Sequence, residues 1–168
     1  MKKTMTKQNT AQETVTEEII TENNCDVDKT KEELSNLYKN VTMAQNCVKT
    51  LLPYVEKQEI TKVLHKQVEQ YDHYIEQVGT LSANLNFDPT PAPKMLVSIA
   101  NMGLRAKMMA DKSITHVAKI MLQGTLNGII DLYRLIRRNK TVHPDVMLLS
   151  KQILRYEEGC FESLKAFL

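Results

Sequence analysis

Apolar residues recur every three or four positions over most of the chain, which is the spacing of one buried face of an α-helix. The pattern predicts four long helices, at about residues 29–55, 58–85, 113–139 and 144–168. Asp28 is the expected N-cap of the first helix, and Pro53 should bend or close its end. Pro144 suits the first turn of the fourth helix, because that position needs no backbone N–H donor.

The connection between the second and third helices is longer than the other two. It opens with "NFDPTPAP", in which Pro89, Pro91 and Pro93 force an extended path. A short methionine-rich helix is predicted next, from Lys94 to Ala110. Its apolar side is expected to cap the bundle and carries Met95, Ile99, Met102, Ala106 and Met109. A partner-binding or membrane-surface helix is the alternative. Such a connection covers roughly 50 Å, enough to run the length of the bundle.

Composition supports an all-α protein of one bundle domain. Aromatic residues make up only 5%, with 5 Gly and 5 Pro in 168 residues, and nine Met join Leu, Val and Ile as apolar mass. Residues 1–28 are polar and carry three Lys against six Asp or Glu. Such a segment buries too little apolar surface to offset its ordering entropy, so it is predicted to be a disordered tail. The predicted bundle domain is therefore 29–168.

The distribution of charge and the lack of a targeting segment limit the kinds of function that the sequence predicts. The net charge is only +2, but residues 94–140 carry nine Lys or Arg against two Asp. Within this region a possible patch for an anionic partner comprises Arg134, Arg137, Arg138 and Lys140; placement beside the negative end of a helix dipole is the plainer explanation. No aromatic residues interleave with it, so nucleic-acid binding is not predicted. No signal-peptide core or bilayer-length apolar run occurs, and three widely spaced cysteines suggest reduced thiols, so a cytoplasmic protein is predicted.

Candidate chemistry lies where polar residues interrupt the apolar faces. The predicted inward polar layer comprises Gln45, Gln67, Tyr71, Tyr74, Thr125, Glu157 and Cys160. Glu157 and Cys160 have the spacing of the Glu-x-x-His half of a di-metal site, with cysteine in place of histidine. Because the facing helices supply amides and a hydroxyl, one carboxylate and one thiol cannot balance two divalent ions. A buried hydrogen-bond network is therefore expected, with Gln45, Gln67, Tyr71 or Tyr74 contacting Glu157.

An alternative metal site would combine Glu157 with Glu69, Asp72 and His73 of the second helix and would hold Fe or Mn. On a helical wheel the latter three lie opposite the apolar stripe, so a solvated acidic face is the favoured interpretation. No nucleophile, base and acid can be assembled into a catalytic set. Gly124 and Gly128, four residues apart in the third helix, indicate close approach of a neighbouring helix.

Two segments resemble a known family. "HVAKIMLQGTLNGIID" (116–131) and "RYEEGCFESLKAFL" (155–168) resemble the second half of bacterial ferritin-like proteins of the Firmicutes type, and the resemblance covers about residues 30–168. It implies a ferritin-like four-helix bundle with one long crossover, usually housing a di-metal centre for oxygen or peroxide chemistry. This chain departs from that ligand pattern at nearly every position. We therefore expect a non-enzymatic interaction or structural, stress-related protein with a degenerate metal site and no cofactor, which associates with itself or another protein through its helix faces. A metalloprotein with a non-standard site is the alternative.

Overall fold

The computed structural model describes residues 25–138 and 141–168, and within these ranges it contains helices and no strands. The all-α class is thereby confirmed. The helices are α1 (Val27–Leu51), α2 (Gln58–Asn84), α3 (Lys94–Ala110), α4 (Ile114–Arg138) and α5 (Pro144–Lys165). Among the residues described, no helix is both long enough and apolar enough to cross a membrane.

The first helix begins two residues earlier than expected. Its N-cap is Asp26, whose Oδ1 accepts a hydrogen bond from Lys29 N at 3.1 Å, and not Asp28. Asp26 is fixed because its own N–H donates to Thr141 O at 2.8 Å. Thr30 Oγ1 donates to Asp26 O and accepts from His143 N, at 2.8 and 3.1 Å. Residues 25–28 therefore adjoin the bundle, and the rest of the predicted tail, 1–24, lies outside the described residues.

Prolines and one asparagine lie at helix boundaries, close to the boundaries predicted from the sequence. Pro53 lies in a 3₁₀ turn, Leu52–Tyr54, that closes α1. After α2, Asn86 adopts a left-handed conformation with φ of 48°, which asparagine tolerates better than most residues. Pro144 is the first residue of α5, and His143 Nδ1 caps that helix by accepting from Asp145 N at 3.2 Å.

The helices pack mainly as two pairs, α1 with α2 and α4 with α5. Helix α1 also contacts α4 and α3, whereas α5 makes smaller contacts with α1 and α2. Most of the buried apolar side chains come from the four longer helices, α1, α2, α4 and α5, among them Leu34, Leu37, Val41, Val48, Leu64, Tyr71, Val78, Leu132, Ile153 and Leu164. The core therefore lies between the two pairs, as the periodicity predicted.

Helix α3 presents a different face from the one expected. Asn101 accepts hydrogen bonds from Asn46 Nδ2 and Thr50 Oγ1 of α1, at 2.6 and 3.1 Å. Only Met108 of α3 is buried, while Met102 is 68% exposed. The prediction that the methionine stripe caps the bundle is wrong, because the face containing Asn101 packs on α1. The stripe instead faces solvent, with Met95, Ile99, Met102 and Met109 all largely exposed.

Candidate functional site

A buried carboxylate lies at the centre of the molecule. Glu157 of α5 is 1% exposed, and the Tyr71 hydroxyl of α2 donates to its Oε1 at 2.8 Å. Its second oxygen, Oε2, has no hydrogen-bond partner among the described residues. Burial raises the pKa of Glu157 to about 7, and the hydrogen bond from Tyr71 opposes this shift. Of the four partners expected for Glu157, the structure supplies Tyr71.

Aromatic rings and a thiol surround this pair. Tyr156 meets Tyr71 and Tyr74 edge-on, with centroids 5.9 and 5.6 Å apart. Gln67 and Cys160 are both buried, and the Gln67 amide makes no hydrogen bond within the described ranges. Burial raises the pKa of the Cys160 thiol to about 11, so the thiol stays protonated at neutral pH. These groups form a packed polar layer without a reactive thiolate.

Gln45 lies outside that layer. It is half-buried, and its Nε2 donates a short hydrogen bond to Asp72 Oδ1. Asp72 is also 3.8 Å from Lys49 Nζ. Amide and carboxylate thus pair at the outer edge between α1 and α2, because a long polar side chain at the border of a helix face can reach solvent.

The alternative metal ligands are not brought together. Glu69, Asp72 and His73 are exposed on α2, and His73 Nδ1 lies 3.8 Å from Glu76 Oε2. Tyr71 directs its side chain towards Glu157, so the two residues that follow it on the helix project about 100° and 200° away. Over the described ranges, no three His, Cys, Asp or Glu side chains form a group that could hold a metal ion. The residues at Glu157 therefore do not fit a resident Fe or Mn ion.

A cavity of about 1000 Å³ opens between α1, α3 and α4 and reaches inward to Glu157 and Tyr71. We call it the groove. Thr125 of α4, which belongs to the predicted polar layer, also lines the groove. Its walls combine polar and charged side chains with an apolar portion made of Met43, Ala44, Cys47, Ile99, Leu104, Met121, Leu132 and Leu135.

Glycines help to keep the groove open. Gly103 of α3 and Gly124 of α4 both line it, and a Cβ added at either position would meet no heavy atom within 4 Å. At Gly128 a Cβ would lie 3.6 Å from Asn40 Nδ2, which donates to Gly128 O at 3.4 Å. The predicted close approach of a neighbouring helix thus occurs at Gly128, whereas Gly124 faces open space.

Three acceptor oxygens of groove residues are buried without a hydrogen-bond partner in the described structure. They are Oε2 of Glu33, Oδ1 of Asn40 and Oε2 of Glu157. Burial also raises the pKa of Glu33 to about 7, although the nearby Arg138 charge opposes this shift. Sequence reasoning missed Glu33 and Asn40. A signal existed, since residues 33, 36, 40, 43, 44 and 47 follow three-four spacing beside the main apolar stripe of the first helix.

Acidic and basic side chains mix at the mouth of the groove. Arg134 and Arg138 line it together with Lys39 and Lys107, but so do Glu32, Glu33 and Asp131. Arg134 Nη1 is 3.2 Å from Asp131 Oδ1, so that cation is already paired. Arg137 is exposed and does not line the groove, and Lys140 lies outside the described residues. Of the residues of the predicted basic patch, Arg134 and Arg138 therefore line the groove, whereas Arg137 does not.

No protein-family model matches this chain, and no significant match was found among curated proteins or solved structures. The ferritin-like resemblance therefore stays a prediction. The groove, with the buried carboxylate at its innermost end (its floor), is the candidate functional site.

Proposed function

We propose that this protein is a non-enzymatic helical bundle that acts by binding a small, largely apolar molecule in the groove. The observation that carries the proposal is the cavity that opens at the surface and ends at the Glu157–Tyr71 pair. Ligand sites in proteins are typically concave, mostly apolar and furnished with a few polar groups that orient the ligand. The groove is concave, has an apolar portion in its walls and ends at a pair of polar side chains.

The buried thiols and phenols stay protonated at neutral pH, which favours a binding role over a catalytic one. Burial raises the pKa of Cys47, on the groove wall, to about 11, as it does for Cys160. Burial also raises the pKa of Tyr71, and the Glu157 charge adds to the shift. Because the thiolate is the nucleophilic form of cysteine, both cysteines are poor nucleophiles at neutral pH.

The ferritin-like arrangement remains part of the proposal. It is supported by two helix pairs, α1–α2 and α4–α5, joined by a long connection that contains the short helix α3. In this proposal the Glu157 layer corresponds to the level at which ferritin-like proteins hold metals, but one carboxylate stands there among a phenol, a thiol and an amide, so the layer is metal-free. Metal analysis of protein purified without chelator tests this. Stoichiometric iron or manganese that is lost in Glu157→Gln would contradict a metal-free layer.

A neutral fluorescent probe tests binding in the groove without any assumption about ligand charge. N-phenyl-1-naphthylamine is titrated into wild-type protein and into the Gly124→Leu and Gly79→Leu variants. Leucine at Gly124 should fill the groove, because its Cβ starts in open space on the groove wall. Gly79 is an exposed α2 glycine with equally open surroundings away from the groove, which makes it the matched control.

We expect saturable binding of the probe to wild type and Gly79→Leu, and at least tenfold weaker binding to Gly124→Leu. Circular dichroism melting curves establish that both variants are folded. Equal binding by all three folded proteins would place the probe elsewhere and overturn the proposal.

A second candidate role is interaction with another copy of the chain. The solvent-facing methionine stripe of α3 favours it, since clustered exposed apolar side chains often mark protein interaction sites. Light scattering should then give a mass above that of the monomer for wild type and a monomer for the Met95→Lys, Met102→Lys double variant. A monomeric wild type at high micromolar concentration would dismiss this role.

A further inference from the structure

We infer that the ligand of the groove is an organic cation with an apolar body, and that its cationic group contacts Glu157 at the floor. The inference rests on the proposed function and adds the charge and orientation of the ligand. It follows from three features of the groove: the kind of polar atoms left without partners, the distribution of charge, and the character of the walls.

The buried polar atoms of groove residues that lack a partner are all acceptors. Glu157 Oε2, Glu33 Oε2 and Asn40 Oδ1 are buried carboxylate or amide oxygens with no hydrogen bond in the described ranges. No donor of a groove residue is left buried and unpartnered there. Buried polar atoms normally find a partner, so the complementary ligand must bring N–H or O–H donors.

Charge distinguishes the floor from the mouth. At the mouth, Arg134 is paired with Asp131, and Arg138 lies near Glu33. At the floor, Glu157 has the Tyr71 hydroxyl as its hydrogen-bond donor and no basic side chain within ion-pair distance among the described residues. A buried carboxylate is costly without a cation. An ammonium group on the ligand would supply one, whereas an anion would add repulsion.

The walls between floor and mouth suit an aliphatic or aromatic body. Met43, Ala44, Met121 and Leu132 face the cavity, and methionine side chains adapt to ligands of different shape. An anionic amphiphile could place its head at the basic residues of the mouth, but its apolar end would then meet Glu157. The groove therefore orients an amphiphilic cation with its head inward.

Protonation of Glu157 should control this binding near neutral pH. The titratable groups around it are Tyr71 and Tyr74 of α2 and Cys160 and Tyr156 of α5; burial raises the pKa of each, so none changes charge between pH 6 and 8. Glu33 on α1, facing Arg138 of α4, does titrate near pH 7 and needs its own variant. An acid with a pKa near 7 becomes about tenfold more ionised between pH 6 and 8, while an alkylamine stays protonated as lysine does.

The test is isothermal titration calorimetry of three probes of equal chain length: n-decylamine, n-decanol and n-decanoate, each below its aggregation concentration. Wild type, Glu157→Gln and Glu33→Gln are titrated at pH 6 and pH 8. The two variants remove one groove carboxyl group each and keep its size, so each controls for the other.

We expect wild type to bind decylamine about tenfold more tightly at pH 8 than at pH 6, following the ionised fraction of Glu157. Decylamine should also bind at least tenfold more tightly than decanol at pH 8, with decanoate weakest. Glu157→Gln should lose the preference for the amine and the pH dependence, while Glu33→Gln should keep both. Loss of the preference in Glu33→Gln alone would overturn the inference by placing the cation at the mouth.

The outcomes also separate this inference from the proposed function. Equal binding of decylamine and decanol by wild type, abolished in Gly124→Leu and kept in Gly79→Leu, would retain the groove as a binding site and reject the cationic ligand. Binding of none of the probes, or binding unaffected by Gly124→Leu, would reject both.

Discussion

The two sides of α4 are packed differently. Towards α5 the contact is extensive, and it includes a 2.7 Å hydrogen bond from the Tyr133 hydroxyl to Glu158 Oε1; Ile153 of α5 is fully buried in the core. Towards α1 the contact is smaller, Asn40 reaches Gly128 O at 3.4 Å, and the groove opens beside it. The α4–α5 interface is therefore closely packed, and we call it the sealed seam; the α1–α4 interface is open at the groove, and we call it the open seam. We expect stability to depend on residues of the sealed seam and binding on residues of the open seam.

The largest expected effect comes from the sealed seam. Ile153 is fully buried on α5, and Ile153→Ala should lower the free energy of unfolding by about 2–5 kcal/mol, because it leaves a cavity in packed surroundings. Met43→Ala on the groove wall is the matched change, and its loss should stay below about 1 kcal/mol, since the side chain already borders open space. Urea denaturation measures both. Equal losses would show that the two seams do not differ in packing.

The pH dependence of stability tests the floor of the groove, where the two sides meet. Folding raises the pKa of Glu157 from 4.5 to about 7, so the folded state binds more protons and is favoured at low pH. The resulting contribution falls as the pH rises through this interval, by about 3 kcal/mol in total. Glu157→Gln should therefore be more stable than wild type at pH 8 and similar at pH 4.

Urea denaturation at both pH values measures this difference, and Glu162→Gln, an exposed change on the same helix, provides the control. A Glu157→Gln variant with the pH profile of wild type would show that Glu157 is hydrated and not buried as described.

Two tyrosine–glutamate hydrogen bonds allow a smaller and more local comparison. Tyr71→Phe removes the donor to Glu157 and leaves a buried carboxylate without it, which should cost about 1–3 kcal/mol at pH 8. Tyr133→Phe removes an equally short bond to Glu158 at the surface and should change stability by less than about 1 kcal/mol. Thermal or urea unfolding ranks them, and the reverse order would refute the burial argument.

The smallest effect is expected on the solvent-facing side of α3. Met102→Lys should change the free energy of unfolding of the monomer by no more than about 0.5 kcal/mol, because the side chain is exposed. Met108→Ala on the opposite face of α3 should cost about 2–5 kcal/mol. A strongly destabilised Met102→Lys would restore the capping role predicted from sequence.

The features that sequence patterns predict correctly are those that depend on residues close together in the chain. The helix limits follow from caps and from Pro53, Pro93 and Pro144, and the inward direction of Tyr71 and Glu157 follows from spacing. Periodicity does not say which of two usable faces a helix buries. On α3 the choice falls to the face of Asn101 and Met108, because Asn46 and Thr50 of α1 offer hydrogen-bond partners to Asn101.

The groove could not be predicted from the sequence, because it depends on the distance between helices. Gly124 suggests close packing in the sequence, yet it borders open space, as does Gly103, because α3 stands apart from α4. Residues 111–113 join α3 to α4, but the distance between the two helices is set by the packing of the whole assembly. No motif near Glu33, Asn40 or Glu157 encodes that distance.

The buried threonine at the start of α1 has a consequence for the order in which the chain folds during synthesis. Thr30 accepts its hydrogen bond from His143, 113 positions further along the chain. Asp26, which caps α1, likewise donates to Thr141. Closing so long a loop carries an entropic cost and is slow relative to local helix formation. The first helix is therefore secured at its beginning only after the ribosome has released residues 141–143, the turn before α5, so a nascent chain truncated before this turn should leave that end frayed.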